Sequence, residues 1–289
     1  MDDKDWRILK MLAEERNITK AAARLFISQP ALTYRLKNIE EEFDIQVVSR
    51  GPNGVSFTPQ GEYLLAYASE MLRRLGQVKE QLKNMENTVQ GALRLGASTV
   101  FANYHLPGIL KGFLELYPDV DIQLRTGLSY QVVNMLEEQE ITLAIVRGDH
   151  DWSKERILLK EEPVCIVSRT PLEMSELLQK PHIRYGTDTS LQKMVEDWWK
   201  KNFNAQPKTT MEVTTMDTAR QLVLHGLGWT ILPSIGLSKD NTLFTQALFW
   251  PDGRPVLRQT WALCSNEALE LQTVRVFLSY LKNDQLNGL

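Results

Sequence analysis

Between Pro59 and Gln90 the chain holds no further proline, and its apolar residues return at every seventh position. One series runs Ala68, Leu75, Leu82, Val89 and the other Leu64, Met71, Val78, Met85. Offset by four and three, the two series form the seam of a coiled coil. The alternative is an amphipathic helix packed on its own domain. A period of about 3.5 residues kept over four repeats suits a straight partner helix better, so residues 59–90 are predicted to form a dimerising helix. Gly76 is the one blemish, costing about 1 kcal/mol against alanine. Gly91 is read as the residue that closes this helix. A helix this long divides the 289-residue chain into a domain at 1–58 and another at 91–289.

The first domain reads as short helices and a hairpin, an all-α winged helix-turn-helix. Ile8, Leu9, Met11, Leu12 and Ala13 fall at helical spacing before a break at Asn17. Thr19 is the expected N-cap of a short helix, Lys20 to Leu25, and Ser28 that of the next, with Pro30 tolerated in its first turn. In the second helix Ala31, Leu32, Leu36 and Ile39 make the inward stripe, leaving Gln29, Thr33, Tyr34, Arg35 and Lys37 outside. Ile45 to Val48 reads as a strand, Gly51-Pro52-Asn53-Gly54 as a turn and Val55 to Phe57 as the returning strand, which makes a wing. The net charge of −3 argues against a nucleic-acid partner until its distribution is considered. From Thr19 to Ile39 the chain carries Lys20, Arg24, Arg35 and Lys37 and no acid, so a small cationic face sits on an acidic chain.

After Gly91 strands alternate with helices, which implies parallel sheet and crossover connections. The expected strands are 92–97, 120–126, 141–146, 164–168, about 210–214 and 261–265; the expected helices are 105–117, 130–138, one around Trp198-Trp199, 216–225 and 269–281. Cys165 and Cys264 each lie inside an apolar run and read as structural thiols; a redox-sensing pair is the alternative. The apolar stretches fall far short of the ~18 to 20 residues of a membrane span, and Met1-Asp2-Asp3-Lys4-Asp5 has the wrong charge for a secretory signal, so a cytoplasmic protein with no membrane partner is expected.

At this point the residues resemble the LysR-type family of bacterial transcription factors. Thr19-Lys20-Ala21-Ala22, Leu25 to Thr33, Ile39-Glu40, Arg50 and Thr58-Pro59-Gln60-Gly61 match that family's DNA-binding signature nearly position by position. Leu95-Gly96, Phe113 to Pro118, Leu143-Ala144-Ile145 and Leu227 to Pro233 look like its sensor, so the likeness covers essentially the whole chain. Thr33 stands in place of a serine, Asp44 in place of a glycine and Val47-Val48 in place of a leucine-phenylalanine pair; none removes a DNA-contacting group. The resemblance implies that the second helix enters the major groove of promoter DNA. Glutamine can there bond adenine, proline can touch a thymine methyl and arginine can reach guanine. Gln29, Pro30, Thr33, Tyr34 and Arg35 are the candidates for base contact, Thr19, Ser28 and Lys37 for phosphate, and Arg50 for the minor groove or the backbone. A symmetric pair of chains implies a palindromic target. The family adds tetramers built as dimers of dimers, and RNA polymerase is a candidate partner.

The family's effector domain is built like a periplasmic binding protein, implying a lobe at about 91–161 and 266–289 and another at about 162–265. Ligands of such folds sit beyond the carboxyl ends of strands. Ser98, Thr99, Leu128, Ser129 and Arg147 occupy such positions in the first lobe, and Thr187 and Thr215 in the second. Arg147 is the first candidate for a ligand carboxylate and Arg258 the second; the alternative has Arg147 pairing with Asp149 or Asp151. Ser129, Arg147-Gly148, the paired tryptophans and Arg258 to Trp261 look like the citrate-responsive LysR regulators of Gram-positive bacteria, which makes a di- or tricarboxylate the expected effector. An α/β enzyme acting on a small anion is the main rival, yet the chain has no GxGxxG turn, Walker loop, HExxH or GxSxG elbow, and His105, His150, His182 and His225 are scattered. A transport-type solute-binding protein needs a signal peptide and no helix-turn-helix, the reverse of what is present. No enzyme activity, cofactor or metal is expected.

Overall fold

The computed structural model describes residues 1–51, 54–83, 89–237 and 242–282, excepting the side chains of Arg50, Gln77 and residues 80–83. It comprises two compact units, Met1–Glu86 and Asn87–Leu289.

The first unit runs α1 (Asp3–Glu15), α2 (Ile18–Arg24), α3 (Gln29–Phe43), β1 (Val48–Gly51), β2 (Gly54–Phe57) and α4 (Pro59–Lys83). Asp2 caps α1 by accepting from Lys4 N and Asp5 N, both at 3.0 Å. Asn17, not Thr19, caps α2: its extended backbone aims Oδ1 at Lys20 N, 3.0 Å away, and leaves Thr19 inside the first turn. Ser28 Oγ caps α3 as expected, accepting from Ala31 N at 3.3 Å. Leu32, Leu36 and Ile39 pack on Ile8, Leu9, Leu12, Ala21 and Ala22. Ala31 was expected inside and is exposed, because a stripe at i, i+4 and i+7 from Leu32 leaves it on the flank. Asp44 closes α3 at φ +51.

The wing begins at Val48 rather than Ile45. Glu40 Oε1 accepts from Val47 N at 2.9 Å, which ties this stretch to α3 and withholds it from strand pairing. Arg50 then faces Val55 in the hairpin register. The Thr58-Pro59-Gln60-Gly61 run follows from a close approach. Thr58 N donates to Val47 O at 3.0 Å, and a Cβ on Gly61 would overlap that same carbonyl oxygen.

The coiled-coil expectation divides at the middle of α4. Leu64 and Ala68 are buried in the unit's own core, against the expectation of a partner helix, since α1 already covers them. Met71 and Leu75 are half-buried and Val78 is exposed. The Leu82 side chain and Met85 lie outside the described residues. Gly91 opens a strand rather than closing the helix.

The second unit contains β3 (Gly91–Ser98), α5 (Thr99–Tyr104), α6 (Leu106–Leu116), β4 (Val120–Gly127), α7 (Ser129–Glu137), β5 (Leu143–Arg147), β6 (Glu155–Ser168), β7 (His182–Tyr185), α8 (Thr189–Asn202), β8 (Thr209–Val213), α9 (Met216–Leu224), β9 (Thr230–Pro233), β10 (Phe244–Ala247), β11 (Leu257–Cys264) and α10 (Gln272–Tyr280). The helix expected at 105–117 begins instead at Leu106, and α5 precedes it, because Ser98 caps α5 at the very end of β3. Among the described residues the main sheet has the order β10-β6-β11-β5-β3-β4, with β9 also on β6; β3 is parallel to β4 and β5, and β11 is antiparallel to β5 and β6. β7 and β8 form a separate parallel pair, joined to the β9 end by Ile183 N donating to Trp229 O at 2.8 Å.

β6 is 14 residues long and serves both lobes: Glu155 to Pro163 pair with β11, whereas Val164 to Val167 pair with β9. β11 returns the chain. Its residues Thr260–Cys264 already pair with β5 of the first lobe, earlier than the boundary near 265 read from sequence. α6 and α10 pack Phe113 on Phe277 in a core that continues through Val167, Met216 and Leu232, while α8 packs Trp198 and Trp199 near Trp229 in a separate cluster.

Candidate functional site

In the first unit the amino-terminal turn of α3 is the exposed polar face. Gln29, Pro30 and Ala31 are exposed, Tyr34 is 66% exposed, and Gln29 Nε2 donates to Thr33 Oγ1 at 3.1 Å. Thr19 and Lys20 are exposed on the first turn of α2. Phe26, in the turn between the two helices at φ +56, is 96% exposed, a feature that sequence reasoning treated only as an interruption.

Most cations of this unit's face already have carboxylate partners. Arg35 points away from the exposed face: its guanidinium lies 2.6 Å from Asp5 Oδ1 and 3.0 Å from Asp2 Oδ1, at the start of α1. That arrangement holds the Asp2 carboxyl well below the usual carboxylate range and raises Arg35. In this DNA-free arrangement Arg35 ties α3 to the start of α1. Arg24 pairs with Glu15 at 2.6 Å and Lys37 with Glu41 at 3.3 Å. Of the four cations, Lys20 alone has no carboxylate within ion-pair distance among the described residues. The side chain of Arg50 lies outside those residues.

In the second unit the ends of the strands bring charges together at the seam between the lobes. Arg258, on β11, is completely buried. It donates to Asp188 Oδ2 at 2.6 Å, Ser190 Oγ at 2.9 Å and the Arg147 carbonyl at 3.0 Å. Asp188 also caps α8, accepting from Leu191 N at 3.0 Å. Arg147 is buried too, with its guanidinium against the buried Glu162 carboxylate, and its amide donates to Ser129 Oγ at 3.1 Å. Arg147 thus pairs with Glu162 rather than with Asp149 or Asp151, and Asp149 pairs with Arg156 at 2.7 Å. Burial, and next the charge of Arg258, pull Arg147 down to about 9, so it stays protonated at neutral pH. The Tyr185 phenol shares this environment and is pushed up by burial, while Arg147 and Arg258 act against that shift. Gly148 makes the cluster possible. At φ +88 it occupies the left-handed region, and a Cβ there would overlap the Arg258 guanidinium and Ser190 Oγ.

Two arginines and two carboxylates leave this cluster with no net charge. Each guanidinium holds an internal carboxylate in this arrangement.

Of the predicted effector residues, Ser129, Arg147 and Arg258 meet, and Thr187 adjoins Tyr185. The others have local duties. Ser98 Oγ caps α5, accepting from Phe101 N at 3.4 Å; Thr99 Oγ1 donates to Gly127 O at 3.2 Å; and Thr215 Oγ1 caps α9, accepting from Thr218 N at 3.2 Å. Leu128 is 45% exposed. Sequence reasoning missed Glu162, Tyr185 and Asp188. Asp188 had a signal, a short polar residue ahead of a helix; Glu162, opening an apolar run, had a weaker one.

Burial pushes both Cys165 and Cys264 up to about 11, and they sit at opposite ends of the shared strands, the arrangement of structural thiols. Burial likewise holds His105 and His182 at about 4, hence neutral at ordinary pH. No helix of the described residues is long and apolar enough to cross a membrane.

Comparison with known proteins bears on both units. Residues 4–62 match the model of the bacterial regulatory helix-turn-helix protein, lysR family, and residues 86–285 that of the LysR substrate binding domain. The chain is 41% identical over 286 residues to YraN of Bacillus subtilis (strain 168), an uncharacterised HTH-type transcriptional regulator, covering 99% of each. It is 32% identical to YkuM of the same organism, again an uncharacterised HTH-type regulator, over 99% of both chains. Among solved structures it resembles full-length OxyR from Pseudomonas aeruginosa, with a TM-score of 0.69 and 18% identity over 98% of this chain and 95% of that one. It also resembles full-length CbnR complexed with its target DNA, with a TM-score of 0.67 and 18% identity over 97% of this chain and 99% of that one. At such identity the likeness to these structures is one of fold.

Proposed function

The chain belongs to the LysR family of bacterial helix-turn-helix transcriptional regulators, whose members bind DNA and carry an effector-binding domain, and from that premise we propose how its two sites work. Gln29, Pro30, Thr33 and Tyr34 touch base edges in the major groove, Ser28, Thr19 and Lys37 hold phosphates, and Arg50 reaches the backbone or minor groove from the wing. Met71, Leu75 and Val78, the part of the α4 seam left uncovered within its own unit, pair with a second copy, and tetramers form from such dimers. The protein works in the cytoplasm, with RNA polymerase as a candidate partner.

The effector is a carboxylate, with di- and tricarboxylates such as citrate the first candidates. The observation that carries this reading is the Arg258 bridge, which spans β5, β11 and the start of α8. A ligand carboxylate that takes the place of Asp188 Oδ2 on Arg258 unties β11 from the residue whose Oδ1 caps α8, and so has different affinities for two arrangements of the lobes. By linkage it shifts the state that binds DNA.

Footprinting beside the protein's own gene, with and without citrate, tests the reading. A protected palindrome whose extent changes with citrate is expected. A monomeric protein without salt-sensitive preference for any fragment would overturn it. Calorimetry separates out the exchange step: Asp188→Asn removes the internal competitor and is expected to tighten carboxylate binding several-fold, whereas unchanged affinity removes Asp188 from the site.

A further inference from the structure

Between α8 and the β7–β8 pair, inside the second lobe, lies a cleft of about 420 Å³. Its floor is Ile183, Leu191, Trp199 and Ile231, all buried, with the half-buried Val195 closing one side. Arg184, Glu196 and Lys200 border it only as exposed residues at the rim. Three polar groups of the lining are already engaged. Thr230 Oγ1 donates to Ile183 O at 2.8 Å, Trp199 Nε1 donates to Ala205 O at 2.8 Å, and His182 Nδ1 shares a 3.0 Å hydrogen bond with Thr209 Oγ1. The wall is also firm: Trp199 stacks on Phe203 at 4.2 Å and on Trp229 at 5.8 Å between ring centroids.

Volume and lining decide the class of occupant. Small-molecule pockets span about 300–1,000 Å³ and are mostly apolar with few orienting polar groups. A charged head on this floor would lose its water and find no counter-charge, because the charges stand only at the mouth. A flat ring would gain contact with Trp199 and the aliphatic floor. We infer that the second lobe holds a binding site for a small, uncharged aromatic molecule, formed under α8 and separate from the arginine–carboxylate cluster. The inference does not depend on the effector being a carboxylate. Tyr185 and Thr187 border the cleft at its end nearest the cluster, so an occupant lies beside the effector site without using either arginine.

Calorimetry on the full chain with 2-naphthol as probe tests this. One 2-naphthol per chain is expected, and 2-naphthoate, the same ring system carrying a carboxylate, is expected to bind at least tenfold more weakly. Val195→Trp fills the cleft and Gln206→Trp, from an exposed position, blocks its mouth; each is expected to weaken 2-naphthol binding at least tenfold. If Val195→Trp fails to melt cooperatively, Gln206→Trp decides the outcome. The inference is overturned by absence of 2-naphthol binding to the parent, by undiminished binding in Gln206→Trp, by naphthoate binding as tightly as naphthol, or by displacement of 2-naphthol with citrate. Failure of citrate to bind at all removes the effector reading and leaves this site standing.

Discussion

The candidate sites of the two units place their charged residues in opposite ways. In the first, Arg24 and Lys37 lie at the surface, each paired with a carboxylate that also reaches water. In the second, Arg147, Arg258 and Glu162 are buried, and every donor that meets a partner does so inside the protein. Exposed pairs are worth roughly 0–1 kcal/mol and exchange readily for phosphate. A buried pair adds little net stability, but breaking it by removing one partner costs about 3–5 kcal/mol. The lesson is that the helix-turn-helix unit leaves charges of its exposed face available for trade, while the second unit engages those of its buried cluster with one another.

The largest effect expected from this contrast is in the second unit. Arg258→Ala strands Asp188 and should lower stability by about 3–5 kcal/mol in denaturant unfolding of the full chain. A variant as stable as the parent breaks the contrast at once. Gly148→Ala forces a side chain into the left-handed region and against Arg258, and should cost about 1–3 kcal/mol by the same measurement.

Effects in the first unit appear in DNA binding and not in folding. Gln29→Ala should weaken specific binding by about 1–3 kcal/mol in a gel-shift titration, with unaltered thermal unfolding. Arg35→Ala sharpens the comparison most closely, because its donors are committed to Asp2 and Asp5. It should cost roughly 0.2–1 kcal/mol of stability and leave base preference unchanged; a loss of discrimination at one base pair would return Arg35 to the groove. The sign of its pH dependence follows from Asp2. A carboxyl whose folded value is depressed contributes stability above its unfolded value of about 3.9 and loses it as pH falls toward the folded value. Arg35→Ala should therefore flatten the acid limb of the parent's stability profile.

Local signals were legible in the sequence. Ser28 ahead of Pro30, Thr58 ahead of Pro59 and the alternation of strands and helices after Gly91 each act over a few residues, and each is seen in the fold. What stayed hidden depends on distance along the chain. Arg35 reads as an outward residue of α3, yet its partners lie 30 and 33 positions earlier. Asp188 meets Arg258 across 70 positions, a pairing that no spacing rule encodes. The α4 repeat was legible as a pattern but not as an allocation, because Leu64 and Ala68 satisfy it within their own unit.

The two strands that pass through both lobes have a mechanical consequence. Hydrogen bonds lock β6 to β11 from the Glu155–Cys264 pair to the Pro163–Leu257 pair, so the lobes cannot slide past one another along the strand direction without shearing that ladder. What the ladder permits is flexure, like that of paired leaf springs clamped at both ends. The register shift between Thr260 and Trp261 marks the natural bending point, two residues from the arginine whose partners ligand exchange would alter.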